Sequence, residues 1–292
     1  MGLEICTVGF ILAVVLGLIV GSFLNVCIFR IPRSESIISP GSHCPLCGKP
    51  VRWYDNIPLV SYFLLLKGTC RSCGGDISLR YPLIEALTGL MFGVFFYSLV
   101  CQAGEPLSVY IAYSILGCAL LVSSFVDVEL YIIPNEVTYF GMVFGPIFSL
   151  LFPALHHSPG SYRRFGVLEG ERLDALASSL CGMLVGGGLV LAFAVLGRIA
   201  FRQEAMGMGD VKLLAMVGGI TGWKLSVIVF FLAPFFALLA SIPLLLKGGL
   251  GKGHKIPYAP FLSLAALVSI PLQSPLIQFL DSRIYIFSLL WS

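Results

Sequence analysis

The sequence predicts an all-α polytopic membrane protein with about eight transmembrane helices and one small polar domain. Of its 292 residues, 58% are hydrophobic and 11% are charged. Ordinary soluble domains have about 45–50% apolar and about 25% charged residues. The apolar residues also fall in blocks long enough to cross about 30 Å of hydrocarbon. A soluble enzyme of this length and a disordered chain are therefore both excluded.

The chain begins with a long apolar block at residues 5–29. It lacks the short apolar core and small-residue cleavage site of a signal peptide, so we expect a retained first transmembrane helix at 1–29. A polar domain at 30–81, a transmembrane bundle at 82–273 and an apolar C-terminal tail at 274–292 would follow. Further spans are predicted at about 82–102, 108–126, 136–155, 173–200, 211–222, 225–246 and 256–272.

The block at 211–222 is shorter than the roughly 20 residues of a full crossing, so seven spans is the alternative count. The charges set the orientation: if residues 30–81 are cytoplasmic, 13 of the 18 Lys and Arg lie on that side. The positive-inside rule then places the N-terminus outward. The net charge of +3 is spread over many loops and forms no nucleic-acid-binding stripe, so lipid and not nucleic acid is the expected environment.

Four of the nine cysteines form two Cys-x2-Cys pairs in the polar domain, Cys44 with Cys47 and Cys70 with Cys73. A glycine follows each pair, and glycine tolerates the positive φ that such turns often need. Four thiolates complete a tetrahedral structural site, so the spacing predicts a cytoplasmic zinc-knuckle domain between the first and second spans. Two disulfides are the alternative, which a reducing cytoplasm disfavours.

The other five cysteines lie singly in apolar stretches: Cys6, Cys27, Cys101, Cys118 and Cys181. A free thiol in such a place behaves as a small hydrophobic group. We therefore expect these five to be free and to contribute only to packing.

Two acidic residues, Asp127 and Asp210, stand beside apolar blocks, where carboxylates are costly and by default indicate a functional site. The simpler interpretation is that each marks a helix end at the membrane interface. Gly207 and Gly209 precede Asp210 and allow close approach of a backbone. If the fold brought the two carboxylates together, they would share a proton and could activate water as aspartyl proteases do.

An ordered set of motifs resembles the type IV prepilin peptidases, membrane aspartyl proteases that are also N-methyltransferases. These motifs are Gly21-Ser-Phe-Leu-Asn25-Val, Arg30-Ile-Pro32, the four clustered cysteines, Asn56-Ile-Pro58, Ile77-Ser-Leu-Arg80-Tyr-Pro82 with Glu85, Asp127 with Pro134-Asn135, and Gly207-Met-Gly-Asp210-Val-Lys212. The resemblance covers nearly the whole chain.

The resemblance implies that Asp127 and Asp210 are the catalytic pair, supported by Gly207, Gly209, Glu204 and Lys212. Lys212 either tunes Asp210 or reaches out to water at the interface. The implied substrates are prepilins or pseudopilins, cut after a glycine at the cytoplasmic face of the bacterial inner membrane. Components of pilus or type II secretion assembly are possible partners.

The resemblance also implies methylation of the new N-terminus with S-adenosylmethionine. The sequence has no strand-loop-helix with a G-x-G fingerprint for that donor. Its nearest polar candidates for the donor site are Asn25, Arg80, Tyr81 and Glu85.

Two other classes of function remain open on the sequence alone. A proton- or cation-coupled transporter would also place acids in spans, but it predicts inverted repeats that the sequence does not show. A non-enzymatic assembly scaffold would use the zinc knuckle for docking and would leave the two aspartates without a function.

Overall fold

The computed structural model describes residues 3–157, 170–201, 206–246 and 257–290. Within these ranges helices are the main regular structure, the polar segment between the first two long helices is mostly irregular, and the only β-structure is two isolated bridges. The α-helices are α1 Leu3–Arg30, α2 Arg80–Phe95, α3 Leu107–Leu130, α4 Asn135–Leu151, α5 Ala154–His157, α6 Glu171–Phe201, α7 Met208–Thr221, α8 Trp223–Leu246, α9 Ala259–Ser269 and α10 Gln273–Leu290. A π-helical segment, Phe96–Gln102, continues α2.

Five helices in the described ranges are long and apolar enough to cross a membrane: α1, α2 with its continuation, α3, α6 and α8. Helices α9 and α10 meet at 95° and count as a sixth candidate if they form one broken span. Helices α4 and α7, with 17 and 14 residues, are shorter than these candidates. The protein is therefore a multi-pass membrane protein, and the count of eight spans stays a prediction.

The chain divides into two compact units, Met1–Gly104 and Glu105–Ser292. In the first unit α1 packs against α2 through glycines. A Cβ on Gly21 would lie 2.7 Å from the Glu85 Cα, and one on Gly17 would lie 2.7 Å from the Thr88 carbonyl oxygen. Glycine at these positions lets the two backbones approach closely, as small residues do in membrane helix pairs.

A disulfide joins Cys6 to Cys101 in this first unit. The prediction of free thiols was wrong for these two residues, because their spacing of 95 residues gave no sign that α1 and the end of α2 lie side by side. It is confirmed for Cys27, Cys118 and Cys181, which form no disulfide.

In the second unit α7 is packed between α4 and α6, and every residue from Leu213 to Thr221 is buried. Its glycine backbone meets the glycines of its neighbours: a Cβ on Gly182 would overlap the Gly218 carbonyl, and one on Gly145 would lie 2.9 Å from Gly219. The Ser179 hydroxyl also donates a hydrogen bond to the Gly219 carbonyl at 2.6 Å. This packing fixes the helix that carries Asp210.

Candidate active site

Asp127 lies in the last turn of α3 and is buried, with 7% of its surface exposed. The helix ends because Tyr131 adopts a left-handed conformation, φ 56°, and its N–H donates to the Asp127 carbonyl at 2.9 Å. Pro134 then caps α4, which begins at Asn135. The Asp127 carboxylate faces the start of α9, where its Oδ2 accepts the Ala259 N–H at 3.1 Å.

Asp210 lies in the first turn of α7 and is equally buried. Its Oδ2 accepts the N–H of Gly207, the N-cap residue, at 3.3 Å. A helix N-terminus favours an acidic group at this position. The charge of Asp127 acts on the Asp210 carboxylate, and the Gly207 N–H stabilises the charged form of Asp210.

The electrostatic influence of Asp127 on Asp210 shows that the fold brings these two sequence-distant carboxylates into one site. Two acids in one poorly solvated place cannot both ionise cheaply, so the charge of one favours the protonated form of the other. This is the electrostatic arrangement by which a carboxylate pair activates water.

The remaining predicted residues of this site have distinct contacts. Gly209 packs closely on the α3–α4 turn, since a Cβ there would lie 3.0 Å from the Ile133 side chain. The Lys212 ammonium donates to Asn135 Oδ1 at 2.8 Å and lies 4.8 Å from the centre of the Tyr139 ring. Lys212 thus ties α7 to the start of α4, a contact that sequence reasoning did not predict. Glu204 lies outside the described residues.

Sequence reasoning also missed Tyr258 and Ala259, which precede and begin α9. The Ala259 N–H donates to the Asp127 carboxylate, and the Tyr258 phenol lies within the electrostatic influence of Asp210. The signal in the sequence was only Pro260, which is typical of a first helical turn. It predicts a helix start but not what that start contacts.

A second cluster, the four cysteines of the first unit, lies in the polar segment between α1 and α2. All four sulfur atoms lie within 4.8 Å of one another, and none forms a disulfide. Zinc–sulfur bonds of about 2.3 Å in a tetrahedron place sulfur atoms about 3.8 Å apart. The Cys44 and Cys73 sulfurs are 4.0 Å apart. The cluster therefore fits a zinc ion.

The two cysteine turns have the same backbone pattern. Gly48 donates its N–H to the Cys44 carbonyl at 2.9 Å and Gly74 donates to the Cys70 carbonyl at 2.8 Å. Both glycines have φ 69°, as predicted from their positions after each pair. Backbone N–H groups of Cys73 and Ser72 lower the pKa of Cys70 to about 6, whereas the neighbouring thiols outweigh the Gly75 N–H and raise the pKa of Cys73 to about 11.

The four predicted donor-site residues also lie in the first unit. Asn25 and Glu85 are buried, and Asn25 Nδ2 donates to the Tyr81 carbonyl at 3.2 Å. Glu85 Oε2 accepts the Leu59 N–H at 2.8 Å, which holds the positive φ of Leu59, 58°. The Arg80 guanidinium lies 5.2 Å from the centre of the Tyr81 ring. The structure thus links Asn25 to the Arg80–Tyr81 pair.

Two family descriptions match the chain: the bacterial peptidase A24 N-terminal domain at residues 15–99 and the type IV leader peptidase family at residues 114–242. These matches fall in the first and second units respectively. No solved structure shows a significant match.

Several curated proteins are similar over most of the chain. The prepilin leader peptidase/N-methyltransferase of Aeromonas salmonicida is 31% identical over 286 residues, 89% of this chain and 90% of the relative. The type 4 prepilin-like proteins leader peptide-processing enzyme of Escherichia coli O78:H11 is 36% identical over 90% of this chain and 94% of the relative. The prepilin leader peptidase/N-methyltransferase of Myxococcus xanthus is 36% identical over 80% of this chain and 63% of the relative. With its buried aspartate pair and its cysteine tetrad, the chain belongs to the type IV leader peptidase family.

Proposed function

We propose that this membrane peptidase removes the leader of type IV prepilin-like proteins after a glycine at the cytoplasmic membrane face and then methylates the new N-terminus. Asp127 and Asp210 are the proposed catalytic pair. The observation that carries the protease proposal is the electrostatic interaction between these two buried carboxylates, 83 positions apart in sequence. The family supports the choice of substrate.

The reaction follows from the different protonation of the two acids. The ionised aspartate takes a proton from water, and the water oxygen bonds to the scissile carbonyl carbon. The protonated aspartate donates a hydrogen bond to the carbonyl oxygen, where negative charge develops. The C–N bond then breaks as a proton passes to the leaving amine. Gly207 and Gly209 keep side chains away from Asp210, while Glu204 remains a predicted support residue.

The proposed orientation has a second support besides the positive-inside rule. Helix α1 carries the Cys6 disulfide in its first turn, and the free cysteine tetrad follows its other end. Disulfides persist in oxidising compartments, whereas reduced thiols are typical of the cytoplasm. This arrangement supports an outward N-terminus, a cytoplasmic tetrad and an inner-membrane location.

The decisive test of the protease proposal uses purified protein in detergent with a synthetic leader-plus-helix peptide. Asp127→Asn and Asp210→Asn should each lower cleavage at least about 1000-fold, because neither single acid can supply both proton roles. Methylation of an already cleaved peptide should persist in both variants. Undiminished cleavage in either variant would reject the protease pair.

For methyl transfer, we propose that the donor, S-adenosylmethionine, is held by Asn25, Arg80, Tyr81 and Glu85. The donor supplies a methyl group on a positively charged sulfur. Two observations fit it: the Glu85 carboxylate is buried, and the buried Asn25 Oδ1 accepts no hydrogen bond from the described residues. A buried carboxylate can bind ribose hydroxyls or offset the positive charge.

A cavity of about 420 Å³ lies beside this cluster in the first unit. Its polar lining is Ser22, Ser42 and Asn56, and the rest is apolar. The Ser22 hydroxyl is also a hydrogen-bond partner of Glu85. An apolar cavity with a few polar groups is the usual form of a small-molecule site.

The donor site can be tested by binding without turnover. Ultraviolet crosslinking of methyl-labelled S-adenosylmethionine should label the wild type, and Glu85→Gln should reduce labelling about tenfold, since the charge is lost but the shape is kept. Glu35→Gln, an exposed acid of the same unit, is the control. Equal labelling of all three proteins would reject the site, and the cleavage assay would remain unaffected by that result.

The cysteine tetrad is proposed to hold a structural zinc ion, since four thiolates leave no coordination position for water. The full set of eight spans is likewise a proposal, in which α4 and α7 cross the membrane as shorter or tilted helices.

A further inference from the structure

Two adjacent residues at the start of α9 interact with one aspartate each. Ala259 is completely buried, and its N–H donates to Asp127 Oδ2 at 3.1 Å. As the first residue of a helix, it has no carbonyl partner within that helix. Its N–H is therefore available to a carboxylate, and the helix N-terminus adds a favourable dipole.

Tyr258 lies within the electrostatic influence of the other aspartate, Asp210. Its phenol is neutral near pH 7, as tyrosine side chains ordinarily are. The Tyr258 hydroxyl oxygen is buried and has no hydrogen-bond partner among the described residues. The hydroxyl is thus a hydrogen-bond donor near the proposed catalytic pair that has no acceptor among the described residues.

The backbone of this turn is fixed independently of the aspartates. The Tyr258 carbonyl accepts the N–H groups of Phe261 at 3.0 Å and Leu262 at 3.2 Å. Pro260 restricts the first helical turn further, because its ring locks φ. A rigid turn can hold a carboxylate in one rotamer, as a mobile loop cannot.

We propose that the turn Tyr258–Ala259 is a third component of the protease site that positions Asp127 relative to Asp210. The Ala259 N–H sets the direction of the Asp127 carboxylate, and the unpartnered Tyr258 hydroxyl lies within the electrostatic influence of Asp210. Ala259 is a positioning residue, since it acts through Asp127. This inference rests on the proposed protease function.

The test is a steric displacement of the turn with a matched control in the same helix. Ala259→Leu adds three carbon atoms to a side chain that is completely buried. The larger side chain should push the start of α9 away from Asp127. Ala266→Leu makes the same change at another completely buried alanine of α9, two turns further along. Ala259→Gly keeps the backbone N–H and adds no volume, so this variant should retain the hydrogen bond to the Asp127 carboxylate.

We expect Ala259→Leu to lower kcat for leader cleavage about 100-fold with KM unchanged, since a shift of about 1 Å in a catalytic group has this cost. Ala266→Leu and Ala259→Gly should stay within about tenfold of the wild type per mole of folded protein. The folded amount is measured by gel filtration and thermal unfolding in detergent.

Wild-type kcat in Ala259→Leu, or an equal loss in Ala259→Leu and Ala266→Leu, would overturn the inference. Failure here is distinguishable from failure of the protease proposal. In the first case both Asp→Asn variants are still inactive, and in the second they still cleave.

Discussion

The two compact units of this protein both pack helices closely, but they are stabilised in different ways. Both bring helix backbones together at glycines, Gly21 against α2 in the first and Gly182 against α7 in the second. The second unit surrounds α7 with several helices, so packing alone buries it. Within its described residues, from 3 to 104, the first unit has two long helices and a polar segment, and it adds a disulfide and a cysteine tetrad.

The difference shows how size determines the source of stability. A small unit buries too little surface to fix its polar segment, and cross-links or metals take over that task. A larger helix bundle can hold even two costly carboxylates in place. We therefore expect the first unit to respond most to loss of its links and the second to respond most to changes in packing.

The largest expected effect is loss of the metal from the first unit. Cys44→Ser should abolish zinc binding, measured by elemental analysis, and methyl transfer should fall to background because the segment folds around its metal. Cleavage of a short peptide, which depends on the second unit, should fall much less. Cys181→Ser, a free cysteine outside the tetrad, is the control. Full zinc content in Cys44→Ser would contradict this expectation.

A smaller but still large effect should follow from overpacking the second unit. A methyl group on Gly182 meets the Gly218 backbone, so Gly182→Ala should displace α7 and lower cleavage about 100-fold. Methyl transfer by the first unit should be retained.

Gly188→Ala is the matched control, because nothing lies within 4 Å of a Cβ at that position of the same helix. It should leave cleavage unchanged and add slightly to helix stability. Similar cleavage rates in the two alanine variants would show that close approach at Gly182 is unimportant.

The smallest expected effect is loss of the Cys6–Cys101 disulfide. The Cys6→Ser/Cys101→Ser double variant should lose about 2–4 kcal/mol of unfolding free energy, because the unfolded chain regains the entropy of a long loop. Thermal unfolding in detergent measures this loss, and both activities at 25 °C should persist. A reductant should lower the unfolding temperature of the wild type and leave that of the double variant unchanged.

Several features of the fold and site were predictable because they depend on local sequence. Apolar blocks indicate membrane helices wherever they occur, and the Cys-x2-Cys turns carry their own geometry, down to the positive φ of Gly48 and Gly74. Asp127 and Asp210 were identifiable because acids beside apolar blocks are costly.

The contacts between distant segments were not predictable from those local signals. Lys212 binds Asn135 and Cys6 bonds to Cys101, although nothing near either residue in sequence indicates its partner. The same is true of Ala259, whose N–H reaches a carboxylate 132 positions away.

The sequence by itself determined that this is a helical membrane protein with a cysteine cluster and two acidic residues beside apolar blocks. These features are predictable because hydrophobicity, turn conformation and the free-energy cost of a charge in lipid depend on single residues and short spacings. Only the tertiary structure decided which groups meet, since those pairings depend on how closely glycine-lined helices approach. The proposed protease site is one such meeting, of α3, α7 and the start of α9.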